Sequence, residues 1–160
     1  MLKAVLFDLD HTLIDWDQAS PWEDFQSERL GLVLEHLHAQ GHATNGASVE
    51  GLVEAFIAGL TAAWDNSRTT LIAPSLYTVI HDALVAMGIT SEQIDLETVM
   101  EVYDWQPREG ERAFPDALEV LPQLAEHGLA MGIVTNASQP MHYRDRELQA
   151  FGMCEWFPDC

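Results

Sequence analysis

The chain has 160 residues, and 48% of them are hydrophobic, which is enough apolar material for the core of a compact domain. Its 26 acidic residues outnumber seven Lys and Arg, so the formal net charge is -19. This balance leaves no basic face for a phosphate backbone, which excludes nucleic acid as an expected partner, and it repels small anions unless a cation is bound locally.

The first predicted element is a strand at residues 4–7, because a continuous apolar run that ends at Asp8 is typical of a parallel strand covered on both faces. Helical spacing then predicts four helices, at 21–38, 49–64, 75–87 and 91–103. The last of them opens with Thr90-Ser91-Glu92-Gln93, which fits a capping box. The segment 106–110 is the predicted linker back to the first module.

Strand and helix alternate again after this linker. A helix that begins near Pro115 closes at Gly128, a second apolar strand at 129–134 ends in Thr135 and Asn136, and a last helix is predicted at 140–151. This order predicts an α/β fold, with a Rossmann-like parallel-sheet core formed by residues 1–15 and 108–160 and a helical domain, 16–107, inserted into it.

Two carboxylates follow the first strand, in Phe7-Asp8-Leu9-Asp10-His11-Thr12-Leu13. They lie at the carboxyl end of the strand, where open α/β sheets bind their ligands. A carboxylate held there can attack phosphorus, and its partner can exchange a proton with the leaving oxygen. The pair also provides half of a Mg²⁺ site, because Mg²⁺ is held by one or two carboxylates plus substrate phosphate. The alternative is that both residues only cap a turn.

This peptide resembles motif I of the haloacid dehalogenase superfamily, hhhhDxDxT, over its full length. Ile133-Val134-Thr135-Asn136 resembles motif II, a hydrophobic strand ending in Thr or Ser, and the insertion resembles the family's helical C1 cap. The resemblance implies a Mg²⁺-dependent phosphatase that cleaves a small-molecule phosphate monoester through an aspartyl-phosphate. Asp8 would be the nucleophile and Asp10 the acid and base, both would bind the metal, and Thr135 and Asn136 would hold the phosphoryl group.

Three alternatives stay open beside the phosphatase. A 2-haloacid dehalogenase uses the same nucleophile on carbon and needs neither a metal nor a second acid, so Asp10 favours phosphoryl transfer. A sugar-phosphate mutase would keep both aspartates and the cap. A non-catalytic binding protein would keep the fold and not the chemistry.

Two elements that follow motif II in the family are not visible, a Lys that neutralises the phosphate and an acidic pair that completes the metal site. The only lysine, Lys3, precedes the first strand and is expected at the opposite end of the sheet from Asp8. We therefore expect a partial sequence with poor metal binding and little turnover, because no positive charge opposes the phosphoryl oxygens. Substrate identity and oligomeric state are not encoded in these patterns.

Location and thiol chemistry complete the expectations. No stretch approaches the roughly 18 apolar residues that cross a membrane, and the start of the chain lacks a signal-peptide core. We expect a cytoplasmic protein with no membrane partner. Cys154 and Cys160 have no His or Cys neighbour at ligand spacing, and we expect both to be reduced thiols.

Overall fold

The structure is a computed structural model that describes residues 2–42 and 46–158. Its strands are β1 (Ala4–Phe7), β2 (Ile14–Asp15), β3 (Arg112–Ala113) and β4 (Ala130–Ile133). Its helices are α1 (Trp22–Ala39), α2 (Val49–Thr70), α3 (Leu76–Ala86), α4 (Leu96–Tyr103), α5 (Pro115–Glu126) and α6 (Met141–Ala150). Short 3₁₀ turns occupy Ser91–Gln93 and Cys154–Trp156.

The chain divides into two compact units. The first takes the described residues up to Ser20, Gln106–Asn136 and the described residues from Met141 onward, and it contains all four strands of the described chain. The second takes Pro21–Trp105 and Ala137–Pro140, and it contains α1 to α4.

The first unit is built on β1 and β4, which pair in parallel from Ala4 opposite Ala130 to Phe7 opposite Ile133. This confirms the two predicted strands, their parallel arrangement and the α/β fold class. The expectation that β1 is covered on both faces is wrong, because the side chain of Leu6 is 70% exposed. Side chains alternate between faces along a strand, so the face that carries Leu6 lacks a covering layer among the described residues.

The opposite face of this sheet belongs to the core of the first unit. Buried members of that core are Leu9, Leu13, Ile14, Ala113, Ala117, Leu121, Met131, Leu148, Met153 and Phe157. Helix α5 starts at Pro115, which suits the first turn because the N–H that proline lacks would be unpaired there. The α5 helix buries Ala117 and Leu121, and Gly128 follows it with a φ of 71°, as its predicted closing role requires.

The sequence did not predict β2 and β3, which pair antiparallel with Ile14 opposite Ala113 and Asp15 opposite Arg112. Strands of two residues are too short to show a period. An ion pair joins them, since Nε and Nη2 of Arg112 donate to Asp15 Oδ2 at 3.0 and 2.8 Å. The backbone N–H of Asp17 donates to Asp15 Oδ1 at 2.9 Å. First this backbone bond and then the guanidinium hold the pKa of Asp15 below its ordinary value.

This shift predicts how stability depends on pH. The pKa of Asp15 is lower in the folded than in the unfolded chain, so its stabilising effect is present above the unfolded value, about 3.9, and is lost as pH falls through the folded value. Asp15→Asn is therefore expected to lower the free energy of unfolding at pH 7 and to change it much less at pH 3. Urea unfolding across this range checks the prediction, and an equal loss at both pH values would contradict it.

The second unit is a helical bundle in which α2 packs against α1 and α3, and α1 also packs against α4. The predicted helices at 21–38, 49–64 and 75–87 are confirmed as α1, α2 and α3 to within one residue at most ends. Helix α2 is the exception, because it continues six residues beyond its predicted end to Thr70. Polar residues such as Asn66 and Thr70 weaken the apolar period without breaking a helix.

The predicted helix at 91–103 is wrong in its first part, which forms the 3₁₀ turn Ser91–Gln93 and leaves Ile94 and Asp95 outside any helix. The predicted capping box is confirmed, and Gln93 Oε1 accepts a hydrogen bond from the Thr90 N–H at 3.2 Å. A second start follows at once, because Asp95 precedes α4 and its Oδ2 accepts a hydrogen bond from Thr98 Oγ1 at 2.8 Å. Asp favours such local bonds over a continuous helix.

Two further observations bear on location and thiol chemistry. In the described part of the chain, no helix combines the length and the apolar character needed to cross a membrane. Cys154 is disulfide-bonded, so the expectation of a reduced thiol at this position is wrong. Cys160, the other cysteine of that expectation, lies outside the described residues.

Candidate functional site

Asp8 follows β1 directly and is exposed at the carboxyl end of the strand. Its Oδ1 accepts a hydrogen bond from the N–H of Leu9 at 2.8 Å. The sheet restrains the backbone on one side of Asp8, while Leu9, fully buried, anchors the other side. The predicted placement of Asp8 at the end of a strand, and not on a helix, is therefore what the structure shows.

The rest of the motif, after Asp8, forms a tight turn. The carbonyl of Leu9 accepts hydrogen bonds from the N–H groups of Leu13 and Ile14 at 2.9 and 3.0 Å. His11 adopts a φ of 56° within this turn, a left-handed conformation that is uncommon for residues other than glycine. Leu13 and Ile14 are almost fully buried, so the turn is fixed to the core and holds Asp10 in a defined place.

Asp10 forms an ion pair that the sequence did not predict. Nη2 of Arg144, on α6, donates to Asp10 Oδ2 at 2.8 Å, and Nη1 of the same arginine donates to Glu147 Oε2 at 2.7 Å. The side chains of Arg144 and Glu147 are 5% and 3% exposed, and that of Asp10 is 20% exposed. Arg144 therefore brings a positive charge to Asp10, whereas the expectation that no positive charge opposes the phosphoryl oxygens stays a prediction.

The spacing of residues in the sequence could have predicted one of the two ion pairs of Arg144. Arg144 and Glu147 are three residues apart on a predicted helix, which places them on one face and predicts an intrahelical ion pair. The contact with Asp10 joins residues that are 134 positions apart in the sequence, and no local pattern predicts a contact over such a separation.

Burial raises the pKa of Asp10 above its ordinary value, and this effect outweighs the opposing charge and hydrogen bond of Arg144. The negative charges of Asp8 and Glu111 raise the pKa further. The environment of Asp10 therefore favours the protonated carboxyl more than water does, which suits a group that has to give up a proton.

Thr135 and Asn136 follow β4 at the same end of the sheet. The N–H of Val134 donates to the carbonyl of Phe7 at 2.8 Å, so the parallel pairing continues to the last residues before Asp8 and Thr135. The structure thus brings the ends of the two predicted motifs side by side. Thr135 is half-buried and Asn136 is exposed. Their roles in phosphate binding stay predictions.

Three buried polar atoms of this region have no hydrogen-bond partner among the described residues: Asp10 Oδ1, Thr135 Oγ1 and Arg144 Nε. A buried polar atom left unpaired costs about 1–3 kcal/mol, so such atoms usually mark a water, an ion or a ligand. An unpaired carboxylate oxygen at Asp10 and the exposed carboxylate of Asp8 are hard oxygen donors, which fit Mg²⁺. The fit is partial, because the described residues form no group of three or more His, Cys, Asp or Glu that could hold a metal.

Comparison with known proteins agrees with this arrangement at the level of the family. The model of the haloacid dehalogenase-like hydrolase family matches residues 2–159. No curated protein matches the chain. A predicted phosphoglycolate phosphatase from Haemophilus somnus 129PT has a similar fold, with a TM-score of 0.49 and 18% identity over 98% of this chain and 60% of that one. For the L-2-haloacid dehalogenase from Xanthobacter autotrophicus the TM-score is 0.44, with 19% identity over 99% of this chain and 55% of that one.

The parallel core and the family match together define the class of protein, a hydrolase built on an α/β sheet. The chain belongs to the haloacid dehalogenase-like hydrolase family. It spans 60% or less of the length of the two solved structures described above.

Proposed function

We propose that the protein containing this chain is a phosphatase that hydrolyses small-molecule phosphate monoesters through an aspartyl-phosphate. The observation that carries the proposal is the second carboxylate. Asp10 is held by an ion pair two residues from the exposed Asp8, and one of its oxygens is buried and unpaired among the described residues. Dehalogenation at carbon has no need for a second acid of this kind, whereas phosphoryl transfer to water requires a group that gives and then takes a proton.

The proposed reaction has two steps. In the first, an oxygen of Asp8 attacks phosphorus, the bond from phosphorus to the ester oxygen breaks, and Asp10 gives its proton to that leaving oxygen. In the second, Asp10 takes a proton from a water molecule as the water oxygen attacks phosphorus. The bond from phosphorus to the Asp8 oxygen breaks, which frees inorganic phosphate and restores the Asp8 carboxylate. The raised pKa of Asp10 supports its role as the acid in the first step.

Two further residues complete the proposed site. The hydroxyl of Thr135, which has no partner among the described residues, and the polar groups of Asn136 would donate hydrogen bonds to the phosphoryl oxygens. Asp8 and Asp10 would hold Mg²⁺, which when bound would offset the negative charge of the carboxylates and the phosphoryl group. The cation would also reduce the repulsion between an anionic substrate and this strongly acidic protein.

The remaining parts of the proposal concern the whole protein. We propose that the inserted helical domain, residues 16–107, acts as a cap that selects the substrate, that the protein is cytoplasmic, and that the 160-residue chain needs a further segment for full turnover. The exposed face of β1, on which Leu6 is 70% exposed, supports the last point. An active purified 160-residue chain would contradict it.

A comparison of two substrates tests the proposed activity. The full-length protein is assayed for phosphate release from p-nitrophenyl phosphate and for chloride release from 2-chloropropionate, each with added Mg²⁺ and with a chelator. We expect phosphate release that the chelator abolishes and no chloride release. Chloride release that persists with the chelator would contradict the phosphatase proposal and indicate a dehalogenase. Transfer of phosphate within a sugar phosphate, seen by product analysis, would indicate a mutase, and no turnover of any kind would indicate a binding protein.

A further inference from the structure

Arg144 is a buried cation for which neither the family motifs nor the proposed reaction accounts. Its guanidinium bridges two carboxylates, Oδ2 of Asp10 at 2.8 Å and Oε2 of Glu147 at 2.7 Å. Only 5% of its side chain is exposed. Among the charged groups that act on Asp10, Arg144 is positive, whereas Asp8 and Glu111 are negative.

We propose that Arg144 is a positioning residue for the reaction, which fixes the carboxyl group of Asp10 by binding its Oδ2. The proposal rests on the proposed function, because it assigns a part to Asp10 in that reaction. Glu147 has the supporting role of holding the guanidinium from its other side.

The contacts of the Asp10 carboxyl group support this assignment. Oδ2 has a charge-assisted hydrogen bond, and Oδ1 is buried without a partner among the described residues. A charge-assisted hydrogen bond to one oxygen restricts the orientation of the whole carboxyl group. Reactive groups need this kind of support, because small displacements from the productive geometry cost a large part of the rate.

The ion-pair chain is better explained by positioning than by stability. Removing three charged side chains from water is costly, and apolar residues of similar volume often stabilise a core as well or better. The helix supplies a rigid base, since Arg144 and Glu147 lie one turn apart on α6 and the neighbouring Leu148 is buried in the core of the first unit. Asp10 is thus tied through Arg144 to a packed helix and not only to its own loop.

The first test needs no turnover. Urea unfolding of the 160-residue chain is measured for the wild type, Asp10→Ala, Arg144→Ala and the double variant. If the pair forms, the two substitutions are not additive, and we expect a coupling of about tenfold or more in the unfolding constant. Additive effects would overturn the proposal whatever the enzyme does.

The second test separates positioning from folding in the full-length protein, with p-nitrophenyl phosphate as substrate. Arg144→Ala is expected to lower kcat roughly tenfold to a hundredfold and to leave KM nearly unchanged, because the substrate is still bound but Asp10 is misplaced. Guanidinium ion, added well below denaturing concentrations, is expected to restore part of kcat. It should restore none in Asp10→Ala, which lacks the group to be positioned.

Arg146→Ala is the matched control, because Arg146 is an exposed arginine on the same helix and lies beside the ring of Tyr143. It is expected to keep the wild-type kcat. Should Arg144→Ala fail to fold, Arg144→Lys keeps the charge but lacks the planar fork whose two nitrogens bind Asp10 and Glu147 separately, and its kcat is expected to be intermediate. A wild-type kcat in a folded Arg144 variant, or a loss that guanidinium does not reverse, would overturn the proposal. Failure of the wild type itself to release phosphate would refute the proposed function. The coupling measured by urea unfolding would still test whether Asp10 and Arg144 form an ion pair.

Discussion

Asp8→Asn is expected to lower phosphate release from p-nitrophenyl phosphate by roughly 10⁴- to 10⁶-fold in the full-length protein, as is common for the loss of a nucleophile. The amide lacks the negative oxygen that attacks phosphorus, so no aspartyl-phosphate can form. The substitution preserves the local structure, because the oxygen of asparagine can still accept the hydrogen bond from the Leu9 N–H. Steady-state kinetics with Mg²⁺ measure the effect.

Asp17→Asn is the control for this experiment, because it makes the same chemical change at an exposed position nine residues further along the chain. It is expected to keep turnover within about twofold and stability within about 0.5 kcal/mol, as usual for surface substitutions. Asp8 is exposed as well, so its replacement is not expected to unfold the protein. Equal rates for the wild type and Asp8→Asn would end the proposal of a covalent intermediate at this residue.

Leu121→Ala is expected to lower the free energy of unfolding by about 2–5 kcal/mol. Leu121 lies on α5 with no exposed surface, and its side chain fills part of the core that supports the motif turn. Its truncation removes buried methyl groups and leaves a cavity, and both effects favour the unfolded chain. Urea unfolding measures the change as a lower midpoint with an unchanged slope.

Leu118→Ala provides the matched comparison, because Leu118 belongs to the same helix but is 43% exposed. Both substitutions replace leucine by alanine within α5, so any difference in helix propensity is the same in the two variants. The effect of Leu118→Ala is expected to be less than half that of Leu121→Ala. Equal losses of stability would show that Leu121 does not fill the core as the structure describes.

The predictions from sequence were best where one local pattern was strong. The apolar run before Asp8 and the run before Thr135 each identified a strand, and the helical period identified α1, α2 and α3. They were weaker where neighbouring preferences compete, as at Asp95, where a second helix start divides the predicted helix at 91–103. Strands as short as β2 and β3 have no period that a pattern could show.

The sequence by itself determined the α/β class, the place of Asp8 and Asp10 after the first strand and the resemblance to the family that the comparison then showed. These features depend on residues close together in the chain, where spacing has a direct geometric meaning. Only the tertiary structure decided that Leu6 is exposed and that Arg144 lies against Asp10. Both depend on which distant elements pack together, because burial and charge pairing are properties of the folded surface and not of a local period.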